Sequence, residues 1–127
     1  DKNKGADLLK TALERLAAGR KRPFRLGIFG QSFPEPGEHW PVPATYFGYI
    51  KGTEHLMDVY AAADVVVVPS RFENLPNIAV EAQCCGRPVV AFATGGLPEC
   101  VSDGSTGNLA PPFDTSQLAA GIARIID

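Results

Sequence analysis

The stretch Val65–Gly96, VVVVPSRFENLPNIAVEAQCCGRPVVAFATGG, decides the fold. Two apolar runs rich in β-branched residues, Val65–Val68 and Val89–Phe92, bracket a segment with helical character. Strand, helix and strand at this spacing form a βαβ unit with parallel strands. A polar loop, Ser70 to Pro76, lies at the carboxyl end of the first strand, where open α/β sheets bind ligands. It carries Glu73, and Glu81 follows inside the helix. Pro76 or Asn77 opens that helix, in keeping with proline's place in a first turn. Glu81 then stands roughly 6 Å along the axis from Asn77, at 1.5 Å rise per residue.

The two carboxylates straddle a helix start whose free amides favour an anion. The layout suits a nucleotide-sugar, with hydroxyls at Glu73, diphosphate at the amides and ribose at Glu81, because carboxylates accept strongly from paired hydroxyls. A glycosidase acid and base would need both groups to face one scissile bond, which a helix end between them disfavours. E-x(7)-E is also a weak pattern by itself, so an ordinary loop carboxylate and an exposed helix carboxylate remain an open alternative.

Outward from this unit the elements alternate. Leu8, Leu9, Ala12, Leu13 and Leu16 form one apolar stripe of a first helix that Gly19 ends. Strands are expected at Phe24–Phe29, which ends at Gly30, and at Thr45–Ile50. Between them Pro34, Pro36, Pro41 and Pro43 predict an irregular but ordered loop, with Trp40 packed back on the body. Thr53 is a suitable cap for a helix to Ala63. A helical turn is expected at Leu97–Val101, a marginal strand at Asn108–Ala110, and a last helix capped by Asp114 with Gln117. The sum is an α/β domain: a Rossmann-like, three-layer α/β/α arrangement with a mainly parallel sheet.

At 127 residues and 45% hydrophobic, the chain supports one domain with one core. A net charge of -2 and a pI near 5.7 lack the basic field of a nucleic-acid binder. The basic run Arg20-Lys21-Arg22 reads as a solvated turn at a helix end, or alternatively as a docking patch for an anionic surface. Cys84, Cys85 and Cys100 fit no metal pattern and are expected to be buried free thiols in a reducing compartment. No apolar run approaches membrane-spanning length. An opening on a helix with no strand before it, and an end inside a helix, suggest a piece of something longer.

The residues 69–101, PSRFENLPNIAVEAQCCGRPVVAFATGGLPECV, with SDGSTGNLAPP after them, resemble the donor-binding half of retaining glycosyltransferases of family 4, which have the GT-B fold of two Rossmann-like domains. Pro-Ser, Glu, Glu-Ala, Gly-x-Pro-Val-Val, Gly-Gly and the Asp-Gly…Gly turn occur in the family's order. The resemblance extends over GYIKGTEHLMDVYAAADVVVVPS and, more weakly, to Lys4-Gly5 and the helix after them. It departs at Gly30-Gln31-Ser32, where the family frequently has Gly-Asp-Gly.

The resemblance implies that residues 1–127 are a nucleotide-sugar donor-binding domain whose N-terminal acceptor domain is absent. It implies a nucleotide-sugar-dependent, retaining, metal-independent hexosyltransferase without a cofactor, and an isolated fragment that transfers nothing. Glu73 and Lys4 would be catalytic: Glu73 on the transferred sugar's hydroxyls, Lys4 on the leaving diphosphate. Glu81 would bind ribose. Asn74, Leu75, Pro76 and Asn77 would approach sugar and phosphates, Tyr49 and Ile50 would begin the nucleobase pocket, and Gly30 would border the donor. Gly95 and Gly96 have a plainer use as a tight turn.

The implied partners are a UDP- or GDP-linked hexose and a glycan, lipid or small-molecule acceptor held by the missing domain, with no nucleic acid. The implied location is cytoplasmic, with peripheral association at the inner membrane surface as an option for the full-length enzyme. Two alternatives stand beside this expectation. One is a non-catalytic nucleotide-binding or interaction module on the same fold, and the other a related GT-B sugar-nucleotide enzyme such as an epimerase or phosphorylase.

Overall fold

The computed structural model describes residues 2–73 and 76–127. A short 3-10 turn, Lys2–Lys4, leads into helix α1 (Ala6–Ala18). Then come β1 (Leu26–Phe29), β2 (Ala44–Gly48), α2 (Thr53–Ala62), β3 (Val66–Val68), α3 (Asn77–Cys84), β4 (Val89–Phe92), α4 (Leu97–Cys100), β5 (Gly107–Ala110) and α5 (Thr115–Ile126).

Strand β4 is the centre of the fold. All four of its residues are buried, as befits a parallel strand covered on both faces. Alternation along it feeds two cores. Val90 and Phe92 pack with Ala12, Leu13 and Leu16 of α1 and with Leu118 and Ile122 of α5. Val89 and Ala91 pack with Tyr60 of α2, Ala79 and Ala82 of α3, Leu97 and Val101. This is the expected three-layer arrangement. Gly121 lets α5 close on the sheet, since a Cβ there would lie 2.6 Å from the Asn108 amide oxygen.

Among the described residues every strand pairing is parallel, but the strands form two hydrogen-bonded groups, β1-β2 and β3-β4-β5. Side chains join the groups: Phe24 and Leu26 enter the α1/α5 core, and Phe29 enters the α2/α3 core. The marginal strand at Asn108–Ala110 is instead a full partner of β4, beginning one residue earlier at Gly107. A Cβ on Gly107 would sit 1.9 Å from the Val89 carbonyl oxygen, so close approach of backbones requires this glycine.

Several local expectations are corrected. Strand β1 starts at Leu26 and β2 ends at Gly48, which leaves Tyr49 and Ile50 beyond the strand. Gly52, with φ 86°, takes the N-cap of α2, and Thr53 is its first helical residue. Helix α3 opens at Asn77, one of the two expected starts, with Pro76 as its N-cap. The thiols are not a buried set: Cys84 is exposed, and Cys85 and Cys100 are half-buried. Adjacent helical positions cannot share one inward face. Arg20 is not simply solvated, for its guanidinium pairs with Asp127 and lies over the Phe24 ring.

The cap of α5 holds as expected, with the Asp114 carboxylate accepting from the Gln117 amide. The proline-rich segment is ordered, and Trp40 packs against the α1/α5 core. No helix among the described residues is long and apolar enough to cross a membrane.

Candidate functional site

The loop that leaves β3 at Pro69 is held from two sides. On one side lies the turn before α1. Gly5 has φ 75°, and a Cβ there would come within 1.8 Å of the Pro69 carbonyl oxygen, so only glycine admits this approach. The Arg71 amide donates to the Asn3 carbonyl at 2.8 Å. Its guanidinium grips both oxygens of Asp7, at 2.8 and 2.6 Å. Hydrogen bonding from Arg71 holds the Asp7 carboxyl below its ordinary range.

On the other side lies the turn after β4. The Thr94 hydroxyl donates to the Arg71 carbonyl at 3.0 Å. The Gly96 amide donates to the Glu73 carbonyl at 2.7 Å. Gly95, at φ 55°, would place a Cβ only 2.3 Å from that same carbonyl oxygen. The two glycines therefore make a tight turn, as expected, and one that backs the Glu73 peptide.

Within the loop the buried Ser70 hydroxyl donates to Glu73 Oε2 at 3.2 Å. The half-buried Glu73 is thus fixed by its backbone and aimed by its carboxylate. Lys4 is exposed in the turn whose neighbours, Asn3 and Gly5, abut this loop. The fold therefore brings Lys4 and Glu73, far apart in sequence, to neighbouring segments.

Helix α3 begins just beyond, and among the described residues no side chain caps its first turn. Its leading amides have no intrahelical acceptor. Pro76 is buried, and Asn77 and Glu81 are exposed. Asn74 and Leu75 lie outside the described residues.

The remaining expected residues lie at the ends of β1 and β2. Gly30, at φ 84°, donates its amide to the Gly48 carbonyl at 2.7 Å, and the Gly48 amide donates to the Gln31 carbonyl at 3.1 Å. Tyr49 is 77% exposed there, with Ile50 half-buried beside it. Tyr60 connects this end to α3. Its ring meets Phe29, the last residue of β1, edge to face at 6.0 Å. Its buried hydroxyl has no hydrogen-bond partner among the described residues. Burial, reinforced by the negative charge of Glu81, pushes the phenol up to about 12. Tyr60 therefore touches the residue before Gly30 and lies within electrostatic reach of Glu81.

Sequence reasoning missed Ser70, Asp7, Arg71, Thr94 and Tyr60 as parts of this assembly. Pro-Ser directly after a buried strand and Gly-Gly directly after the next were the available signals. Nothing local marks Asp7 or Tyr60, whose partners are distant in sequence.

The pattern for glycosyl transferases group 1 matches residues 1–127. The chain belongs to this family. Its curated relatives include the D-inositol 3-phosphate glycosyltransferases of Saccharomonospora viridis, 49% identical over 75 residues, and of Mycolicibacterium smegmatis, 50% identical over 74. These alignments cover 59% and 58% of this chain and 17% of each relative. Among solved structures, sucrose-phosphate synthase from Thermosynechococcus elongatus superposes with a TM-score of 0.81 at 32% identity. That match covers 99% of this chain and 34% of the synthase.

Anabaena Alr3699/HepE in complex with UDP and glucose gives a TM-score of 0.74 at 27% identity, over 100% of this chain and 36% of that one. The chain thus spans about a sixth of the curated relatives' length and about a third of the solved neighbours'. The Rossmann-like architecture of this family's GT-B members is the one built around β4.

Proposed function

We propose that this chain supplies the donor site of a retaining hexosyltransferase that uses a UDP-linked sugar. The observation that carries the proposal is the anchoring of the Glu73 loop from two sides, by the Asn3–Gly5 turn at Pro69 and Arg71 and by Gly95–Gly96 at Glu73 itself, just before the start of α3. A catalytic or binding group must be held in place before the ligand arrives. The family and the UDP-containing neighbours favour UDP as the nucleotide.

In this scheme the Glu73 carboxylate accepts hydroxyls of the transferred sugar, while Ser70 keeps it oriented. The diphosphate lies at the α3 amides with Lys4 beside it. The bond from the anomeric carbon to the phosphate oxygen breaks, a bond to an acceptor hydroxyl oxygen forms on the same face, and the hydroxyl proton passes to the departing phosphate oxygen. Negative charge grows on the departing diphosphate. Lys4 and the helix start stabilise it electrostatically, without a metal in the proposed mechanism. Glu81 receives the ribose hydroxyls, and Gly30, Tyr49 and Ile50 border the base. Pro76, with no N–H to donate, shapes the entry, and Asn77 offers the first helical amide. Asn74 and Leu75 are proposed to complete the approach to sugar and phosphate.

Ligand-observed NMR of the chain against UDP, GDP, ADP and their hexose derivatives tests this. UDP and UDP-hexose should bind, and Glu81→Ala should weaken UDP about tenfold, as expected for lost charge-assisted hydrogen bonds. Silence toward every nucleotide at millimolar concentration would overturn the proposal.

A further inference from the structure

We propose that Glu38, acting through Gln31, is a positioning residue that sets the base-binding edge formed by Gly48, Tyr49 and Ile50. This rests on the donor site proposed above. The segment joining β1 to β2 carries four prolines, which supply no N–H to tie it down. Side chains do that instead, and they meet at one carboxylate. Gln31 Nε2 donates to both Glu38 oxygens, at 3.2 and 3.3 Å. Trp40 Nε1 donates to Glu38 Oε2 at 3.2 Å and also lies 3.0 Å from the Tyr46 hydroxyl. The Tyr46 hydroxyl donates to the same Oε2 in a short hydrogen bond.

Three parts of the molecule thus converge on Glu38: the end of β1, the loop itself and the middle of β2. A shared, partly buried charged acceptor is stronger than its separate bonds suggest. Gln31 transmits the position onward. Its side chain also donates to the Phe33 carbonyl at 2.8 Å, and its own carbonyl accepts the Gly48 amide at 3.1 Å. A Cβ at Gly48 would stand 3.1 Å from the Ser32 hydroxyl, so the Gln31–Ser32 turn is laid directly over Gly48. Glu38 is therefore two hydrogen-bonded steps from the residue that precedes Tyr49.

Trp40 is the only tryptophan in the chain, so its emission reports the cluster directly. The experiment combines that emission with UDP titration and amide exchange at Gly48. Glu38→Ala should red-shift Trp40, speed exchange at Gly48 and weaken UDP about tenfold. Glu38→Gln keeps one acceptor oxygen without the charge and should recover part of the emission and of the affinity. Gln31→Ala should weaken UDP similarly while leaving Trp40 emission in place, and it decides the matter should Glu38→Ala fail to fold.

UDP affinity unchanged in Gln31→Ala, with wild type binding normally, would overturn the positioning role alone. A wild-type chain that ignores UDP would overturn the donor site, and the positioning role with it.

Discussion

The two groups of strands are built on different physics. In β3-β4-β5 the strands are clad in apolar side chains from helices on both faces, and β4 is wholly buried. In β1-β2 no residue is fully buried, Phe47 is 48% exposed, and the connecting segment is tied by Glu38, Gln31, Trp40 and Tyr46. Burial is non-directional and insensitive to charge, whereas a polar junction depends on geometry and on the ionised carboxylate. The proposed catalytic loop hangs from the first kind of sheet and the proposed base pocket from the second.

The sharpest way to break the contrast is to remove an aromatic ring from each sheet. Phe92→Ala should cost about 3–5 kcal/mol, whereas Phe47→Ala should cost about 1 kcal/mol or less, read as midpoint shifts in urea. Equal losses would show that β1-β2 is as dependent on burial as β4. A smaller effect is expected from Tyr46→Phe, which deletes one hydroxyl from the junction and should cost about 1 kcal/mol while moving Trp40 emission.

The mildest perturbation is acid. Burial raises the Glu38 carboxyl, but hydrogen bonds from Tyr46, Gln31 and Trp40 outweigh it and hold the group below its ordinary 4.5. A carboxyl depressed by folding stabilises the native state above its unfolded value, and that contribution fades as pH falls through the lower folded value. Trp40 emission should therefore shift only once the pH has fallen below the ordinary carboxylate value of 4.5. Asp7, Lys10 and His39 line the hollow beside this junction, so Glu38→Gln is the control that isolates Glu38. Persistence of the shift in that variant would assign it to another group.

Much of the site was legible in the chain because its parts lie close together in sequence. Val65 to Gly96 holds two strands, a helix and both carboxylates, and period and turn chemistry placed them correctly. Where local signals competed, the outcome followed tertiary need. Thr53 is a better cap by propensity than Gly52, yet the chain enters α2 at φ 86°, which glycine tolerates. Asn108–Ala110 looked marginal because its partner strand, β4, supplies the burial that its own residues do not advertise. The cysteines were expected inside on average behaviour, but helical geometry turns Cys84 outward.

By itself the sequence determined the alternation of elements, the parallel pairing across the βαβ unit and the two-glutamate pattern in its loop and helix. These depend on periodicity and on residues a few positions apart. Only the tertiary structure decided that Gly5 and Gly95 close on the Pro69–Glu73 loop from opposite sides. It alone decided that Tyr60 joins the end of β1 to helix α3, and that Glu38 gathers donors from three segments. Those are contacts between distant residues, set by how the layers pack, and no local signal in the chain encodes them.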